Sequence, residues 1–201
     1  MSSLTLIRHG QSTYNLENRF TGNVDAPLTL LGEEEAKEAG KKIKNLRFNC
    51  AYTSMLKRAQ VSLDIILKEI QQTDIPIVIN AALNERMYGS LQGLNKAETA
   101  AKYGDAQVDI WRRSYAVRPP EGESLEDTFN RTVPYYKLEI EPKLKVGENI
   151  LIVGHGNSLR ALMMYLEHID QAAIALVNMP TGVPRLYHFD DNLRIMDGEY
   201  L

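Results

Sequence analysis

Two apolar runs, one near each end of the chain, finish on a histidine beside glycine, and they constrain the fold more than any other feature. The first, Leu4-Thr5-Leu6-Ile7, leads into Arg8-His9-Gly10, and the second, Ile150-Leu151-Ile152-Val153, leads into Gly154-His155-Gly156. A short apolar run closed by a glycine turn reads as a buried strand. The second run is continuous enough for a central parallel strand. In an open α/β sheet, ligands bind beyond the carboxyl ends of the strands, which puts both histidines at the mouth of a site.

Between these runs, strand and helix patterns alternate, the mark of an α/β domain. Thr29 caps a helix carrying Glu33, Glu34 and Glu35 at its start and the apolar stripe Ala36, Ala39, Ile43 and Leu46. Asn49–Ser54 and Ile75–Ile79 read as strands, and Leu56–Ile70 as a second helix between them. Asn95–Tyr103 and Asp105–Ser114 are further helices. A long one runs from Ser124 to Lys145, kinked at Pro134 and fraying at Pro142. The helix after His155 is capped by Asn157 or Ser158, and Arg185–Phe189 is a late strand. Thr21–Pro27 and Val117–Gly122 are loops.

The 201 residues suffice for one domain with a real core, spanning 1–201. A net charge of −3 argues against general nucleic-acid binding but leaves a local cluster of arginines free to dominate a cleft. Cys50 is the only cysteine, which suits a reducing compartment. No apolar run reaches the length of a membrane span and the start lacks a signal peptide's apolar core, so the chain reads as cytoplasmic.

Two strand-end histidines, a carboxylate and dispersed arginines suit phosphoryl transfer. A neutral imidazole can attack phosphorus and hold the group as phosphohistidine. Nearby cations such as Arg8 and Arg58 keep His9 neutral and counter the transition-state charge. Arg58, in the first turn of a helix, is there either because an anion shares the site or as an exposed side chain at a frayed end. Glu85 is the best-placed proton relay; the alternative is a surface carboxylate paired with Arg86. His168 and His188 lie outside strand-end turns and read as structural. The histidines lack zinc-type spacing, so no metal is expected, and no P-loop is present.

Leu6-Ile7-Arg8-His9-Gly10 with Gly154-His155-Gly156 resembles the histidine phosphatase superfamily. The stretches Asn18–Gly22, Tyr52–Ser54, Leu56–Ala59, Leu91–Thr99, Trp111–Ser114 and His155–Leu162 extend the resemblance over nearly the whole chain, to the cofactor-dependent phosphoglycerate mutases. That resemblance implies a three-layer α/β/α sandwich around a mostly parallel sheet. It implies that His9 carries the phosphoryl group, that Glu85 donates and accepts the proton and that His155 stabilises the transition state. Arg8, Arg58, Asn15, Gly156 and Asn157 would hold the transferred group. Arg112, Arg113, Lys96, Tyr88, Thr21 and Gly22 would hold the rest of a phosphoglycerate. The implied reaction interconverts 2- and 3-phosphoglycerate in glycolysis and gluconeogenesis, primed by 2,3-bisphosphoglycerate without a metal. A phosphatase and a phosphate-binding module without turnover are the alternatives.

Three departures stand out. Met87 replaces the family's usual histidine, with altered packing expected. Arg118-Pro119-Pro120-Glu121 runs directly into Glu123-Ser124-Leu125, where most members carry roughly two dozen more residues. The sequence stops at Leu201, short of the polar tail many members fold over the site, so water is expected to compete for the phosphohistidine. The shortened loop affects how subunits would pack, so a homo-oligomer is possible but no particular assembly is implied.

Overall fold

The computed structural model describes residues 1–201. Six strands form one sheet: β1 (Ser2–Arg8), β2 (Cys50–Thr53), β3 (Ile77–Ile79), β4 (Asn149–Gly154), β5 (Arg185–Phe189) and β6 (Ile195–Tyr200). Their order is β3-β2-β4-β1-β5-β6. The pairs β3–β2, β2–β4 and β4–β1 are parallel, while β1–β5 and β5–β6 are antiparallel. Eight α-helices accompany it: α1 (Thr13–Leu16), α2 (Leu30–Ile43), α3 (Lys57–Glu69), α4 (Lys96–Tyr103), α5 (Asp105–Arg113), α6 (Leu125–Tyr135), α7 (Glu141–Lys145) and α8 (Gly156–Leu166).

Strand alternation divides the core in two. Leu4, Leu6, Tyr52, Ile150 and Ile152 pack toward α6, α7 and α8. Ile7, Ala51, Leu151 and Val153 face α2 and α3 on the other side. The result is the expected α/β/α sandwich. Burial on both faces is what makes β1 and β4 continuous apolar runs.

Most predicted elements form, with shifted ends. β3 is shorter than Ile75–Ile79, with Pro76 contributing only its carbonyl, which accepts from the Ala51 N–H. The long helix predicted over 124–145 is broken by a π-helical stretch at Tyr136–Ile140. Pro134 removes one backbone donor just before it, and Pro142 sits in the first turn of α7, where its missing donor costs nothing. The helix after β4 starts earlier than predicted: His155 itself is the N-cap, with Asn157 and Ser158 inside the first turn. Ser158 Oγ accepts from the His155 N–H, drawing the turn tight against the strand end. β6 has no counterpart in the sequence reading; it extends the sheet as an exposed polar edge.

The register of β1 on β4 pairs Arg8 with Gly154, and the His9 N–H donates to the Gly154 carbonyl at 3.0 Å. The two histidines therefore leave the same sheet edge side by side. Two glycines let α2 approach this turn. A Cβ on Gly10 would overlap the Gly32 carbonyl oxygen, and a Cβ on Gly32 would overlap the backbone of Gln11. Backbone meets backbone here, so neither partner can swing aside. Gly10→Ala is expected to destabilise the fold by about 3 kcal/mol, measured as a lower urea midpoint at unchanged slope.

Candidate active site

His9 and His155 lie with ring centroids 5.0 Å apart, both almost fully buried. His9 Nδ1 is 2.7 Å from the Gly10 carbonyl oxygen, which fixes the proton on Nδ1. Nε2 is thereby left with its lone pair, which accepts from Arg58 Nε–H at 3.2 Å. Arg58 is itself buried. It also donates through Nη1 to the Val24 carbonyl (2.7 Å) and through Nη2 to the Gly22 carbonyl (2.8 Å). The sequence left open an exposed, frayed Arg58; the structure instead uses it to tie the Thr21–Pro27 loop to the histidine. Burial lowers its own pKa to about 10.

His155 Nε2 is 2.7 Å from Ser54 Oγ, while Nδ1 is buried and has no protein partner. Glu85 sits opposite. Its Oε1 accepts from the backbone N–H of Arg86 (2.9 Å) and of Asn157 (3.0 Å). The latter donor belongs to the first turn of α8, whose positive end favours a carboxylate. No Glu85–Arg86 ion pair forms. Arg86 turns away, donating through Nη2 to Tyr88 Oη and to the Arg112 carbonyl.

A small cleft of about 150 Å³ opens beside this group. Arg8, Asn15, Thr21, Gly22, Glu85, Tyr88, Lys96, Arg112, Arg113, Gly156 and Asn157 line it, so eleven of the fourteen residues singled out from sequence share one wall system. His9, Arg58 and His155 are buried next to it, behind Arg8, Gly22 and Gly156. Arg112 and Arg113 end α5, where cations suit the helix dipole. Lys96 opens α4, where they do not; burial first, then Arg112, Arg8 and Arg113, lower its pKa to about 8. Asn15 has a structural task as well, since its Oδ1 closes the capping box of α1 with Ser12.

Burial, then Arg58 and Arg8, hold the His9 imidazole well below its ordinary pKa of 6.5, against a smaller opposing effect of the Gly10 carbonyl. Burial and Arg58 do the same to His155, with His9, Arg8 and Arg131 adding to it. Both rings are thus neutral when folded. Below about pH 6.5 the unfolded chain takes up protons that the folded protein refuses, so stability is full above that pH and falls as the pH drops. The expected slope is about 1.4 kcal/mol per pH unit for each histidine. Urea unfolding at pH 7.5 and 5.5 checks this, and His155→Gln should roughly halve the slope.

The family model for the histidine phosphatase superfamily (branch 1) matches residues 4–196. The chain belongs to the histidine phosphatase superfamily. Among its relatives, a protein of Cytophaga hutchinsonii named 2,3-bisphosphoglycerate-dependent phosphoglycerate mutase is 55% identical over 201 residues, covering 100% of this chain and 94% of that one. One of the same name from Parvibaculum lavamentivorans is 50% identical, covering 98% and 95%. A solved mycobacterial hydrolase superposes with a TM-score of 0.83 at 25% identity, covering 98% of this chain and 96% of that one. The resemblance carried by the strand-end motifs is therefore one of family.

Within the superfamily fold, the sequence reading missed Arg160, Asn178 and Met179, which also line the cleft. Arg160 lies four residues beyond Gly156 on the inward face of α8; it donates to Asn157 Oδ1 at 2.9 Å and leaves Nε without a partner. Burial, with Arg86 and Arg113 nearby, lowers its pKa to about 10. An arginine set among Leu159, Ala161 and Leu162 was the available signal. Asn178 and Met179 carried none. Met87 is not among the lining residues. The short loop packs against the residues that follow Glu85, with the Glu123 N–H donating to the Met87 carbonyl at 2.8 Å and the Ser90 N–H to the Pro120 carbonyl at 3.0 Å. No helix is long and apolar enough to cross a membrane.

Proposed function

We infer that residues 1–201 form one domain that interconverts 2-phosphoglycerate and 3-phosphoglycerate, an isomerase reaction of glycolysis and gluconeogenesis, through a phosphohistidine on His9. The observation that carries this reading is the charge of the cleft: five cations, Arg8, Lys96, Arg112, Arg113 and Arg160, face one carboxylate, Glu85. A one-phosphate ester needs fewer. A molecule with a phosphate at one end and a carboxylate at the other uses them, and the names of the relatives agree.

The donor set also fits 2,3-bisphosphoglycerate, whose two phosphates and carboxylate suit five cations; when bound, it supplies the phosphoryl group that primes His9. His9 Nε2 exchanges its hydrogen bond from Arg58 for a bond to phosphorus, while Nδ1–H stays on the Gly10 carbonyl. Arg8 and Arg58, with the backbone of Gly156 and Asn157, hold the equatorial oxygens where charge spreads. Arg58 has two N–H groups uncommitted to protein, and the unpartnered Nδ1 of His155 serves the same group. Glu85 gives its proton to the departing hydroxyl oxygen. In the return step it takes the proton from the attacking hydroxyl as the phosphoryl group leaves His9. Asn15 joins Arg8 and Arg58 at the transferred group, and Thr21, Gly22, Tyr88, Lys96, Arg112 and Arg113 hold the remainder of the substrate.

A cytoplasmic setting accompanies this reading, since the single cysteine, Cys50, is buried and unpaired. The test is to follow 3-phosphoglycerate with and without catalytic 2,3-bisphosphoglycerate. Formation of 2-phosphoglycerate that depends on the bisphosphate supports a mutase; phosphate release without isomerisation would make the protein a phosphatase.

A further inference from the structure

Arg131 lies on α6, outside the cleft, yet its guanidinium donates to three backbone carbonyls of the Ala82–Glu85 stretch. Its Nη1 donates to the carbonyls of Ala82 (2.9 Å) and Asn84 (3.0 Å), and Nη2 to the carbonyl of Glu85 itself (3.1 Å). The guanidinium is aimed by Glu123, which accepts from Nε and Nη2, both at 3.1 Å. Glu123 closes the loop on the other side: its Oε2 accepts from the Met87 N–H at 2.9 Å, and its own N–H donates to the Met87 carbonyl at 2.8 Å. The neighbouring Thr132 Oγ1 donates to the Ala82 carbonyl as well.

We propose that Arg131, aimed by Glu123, is a positioning residue that sets where the Glu85 carboxylate stands over the reacting oxygens. The segment carrying Glu85 has no regular backbone ladder of its own; residues 84–88 are neither helix nor strand. The carbonyls before Glu85 and that of Glu85 itself are instead collected by one planar fork. Arginine suits this best, because its planar donors reach the three carbonyls and Glu123 together, whereas an ammonium offers fewer donors and no fixed plane. A carboxylate that must meet a hydroxyl within hydrogen-bond distance loses much of its value when displaced by about 1 Å.

The inference rests on the role given to Glu85 above, and a double-substitution cycle separates the two. Arg131→Gln is expected to lower kcat for isomerisation about 100-fold, with KM within about twofold, because the cleft cations are untouched. Glu85→Gln should lower kcat about 1000-fold. The double variant should be about as slow as Glu85→Gln alone, since the contribution of Arg131 to the rate runs mainly through that carboxylate, its electrostatic effect on His155 being the smallest there. Arg131→Lys should recover part of the loss. Thermal unfolding shows whether Arg131→Gln is folded; if it is not, Arg131→Lys takes its place in the same cycle. Multiplying losses in the double variant, or a wild-type kcat in the folded single variant, would overturn the proposal. A fully active Glu85→Gln would instead overturn the role of Glu85, and that of Arg131 with it.

Discussion

His9→Ala is expected to lower isomerisation by about four orders of magnitude or more, the loss that follows when the attacking atom itself is removed. His155 is not equivalent to it: its Nε2 is hydrogen-bonded to Ser54 Oγ, whereas His9 Nε2 meets Arg58. The substitution should largely spare ligand binding, because all five cations of the cleft remain. Steady-state rates measured beside the affinity for 3-phosphoglycerate check both halves. A rate within tenfold of the unsubstituted protein would remove His9 from the mechanism.

Arg58→Met should cost about two to three orders of magnitude in kcat/KM, the usual toll for deleting one preorganised donor at a charged transition state. Two tasks vanish together. The donor that aims His9 Nε2 is lost, and so is a cation beside the phosphoryl group. The pH profile separates this from simple loss of packing. In the unsubstituted protein, His9 is held neutral well below pH 6.5, so it contributes no acid limb near neutrality. Without Arg58 its pKa rises, and an acid limb should move up the profile. It should stop short of the ordinary histidine value, because burial, the largest cause, and Arg8 both persist. An unchanged acid limb would mean that Arg58 acts through packing alone.

The parts of this molecule visible in its sequence share a physical reason. β1 and β4 were legible because burial on both faces leaves no polar alternation to confuse the pattern. The histidines were legible because each ends such a run. β6 was not, since an exposed edge strand such as Ile195–Tyr200 carries no core-facing periodicity. The start of α8 was misplaced because His155, an uncommon cap, precedes the better cap residues Asn157 and Ser158. Arg58 and Glu85 each had two readings in sequence, exposed or functional. Only their partners, His9 Nε2 and the Asn157 N–H, distinguish them, and those are distant in the chain. The fork of Arg131 was invisible for the same reason: it acts on backbone carbonyls, which leave no residue-type signature.

Incubation with 2,3-bisphosphoglycerate labelled in its phosphates, followed by mapping of the modified peptide, tests the central claim most directly. The account predicts an acid-labile, base-stable phosphoryl group on Nε2 of His9 that chases into phosphoglycerate when unlabelled substrate is added. A protein that turns over substrate while remaining unlabelled, or that carries the label on His155, would contradict it.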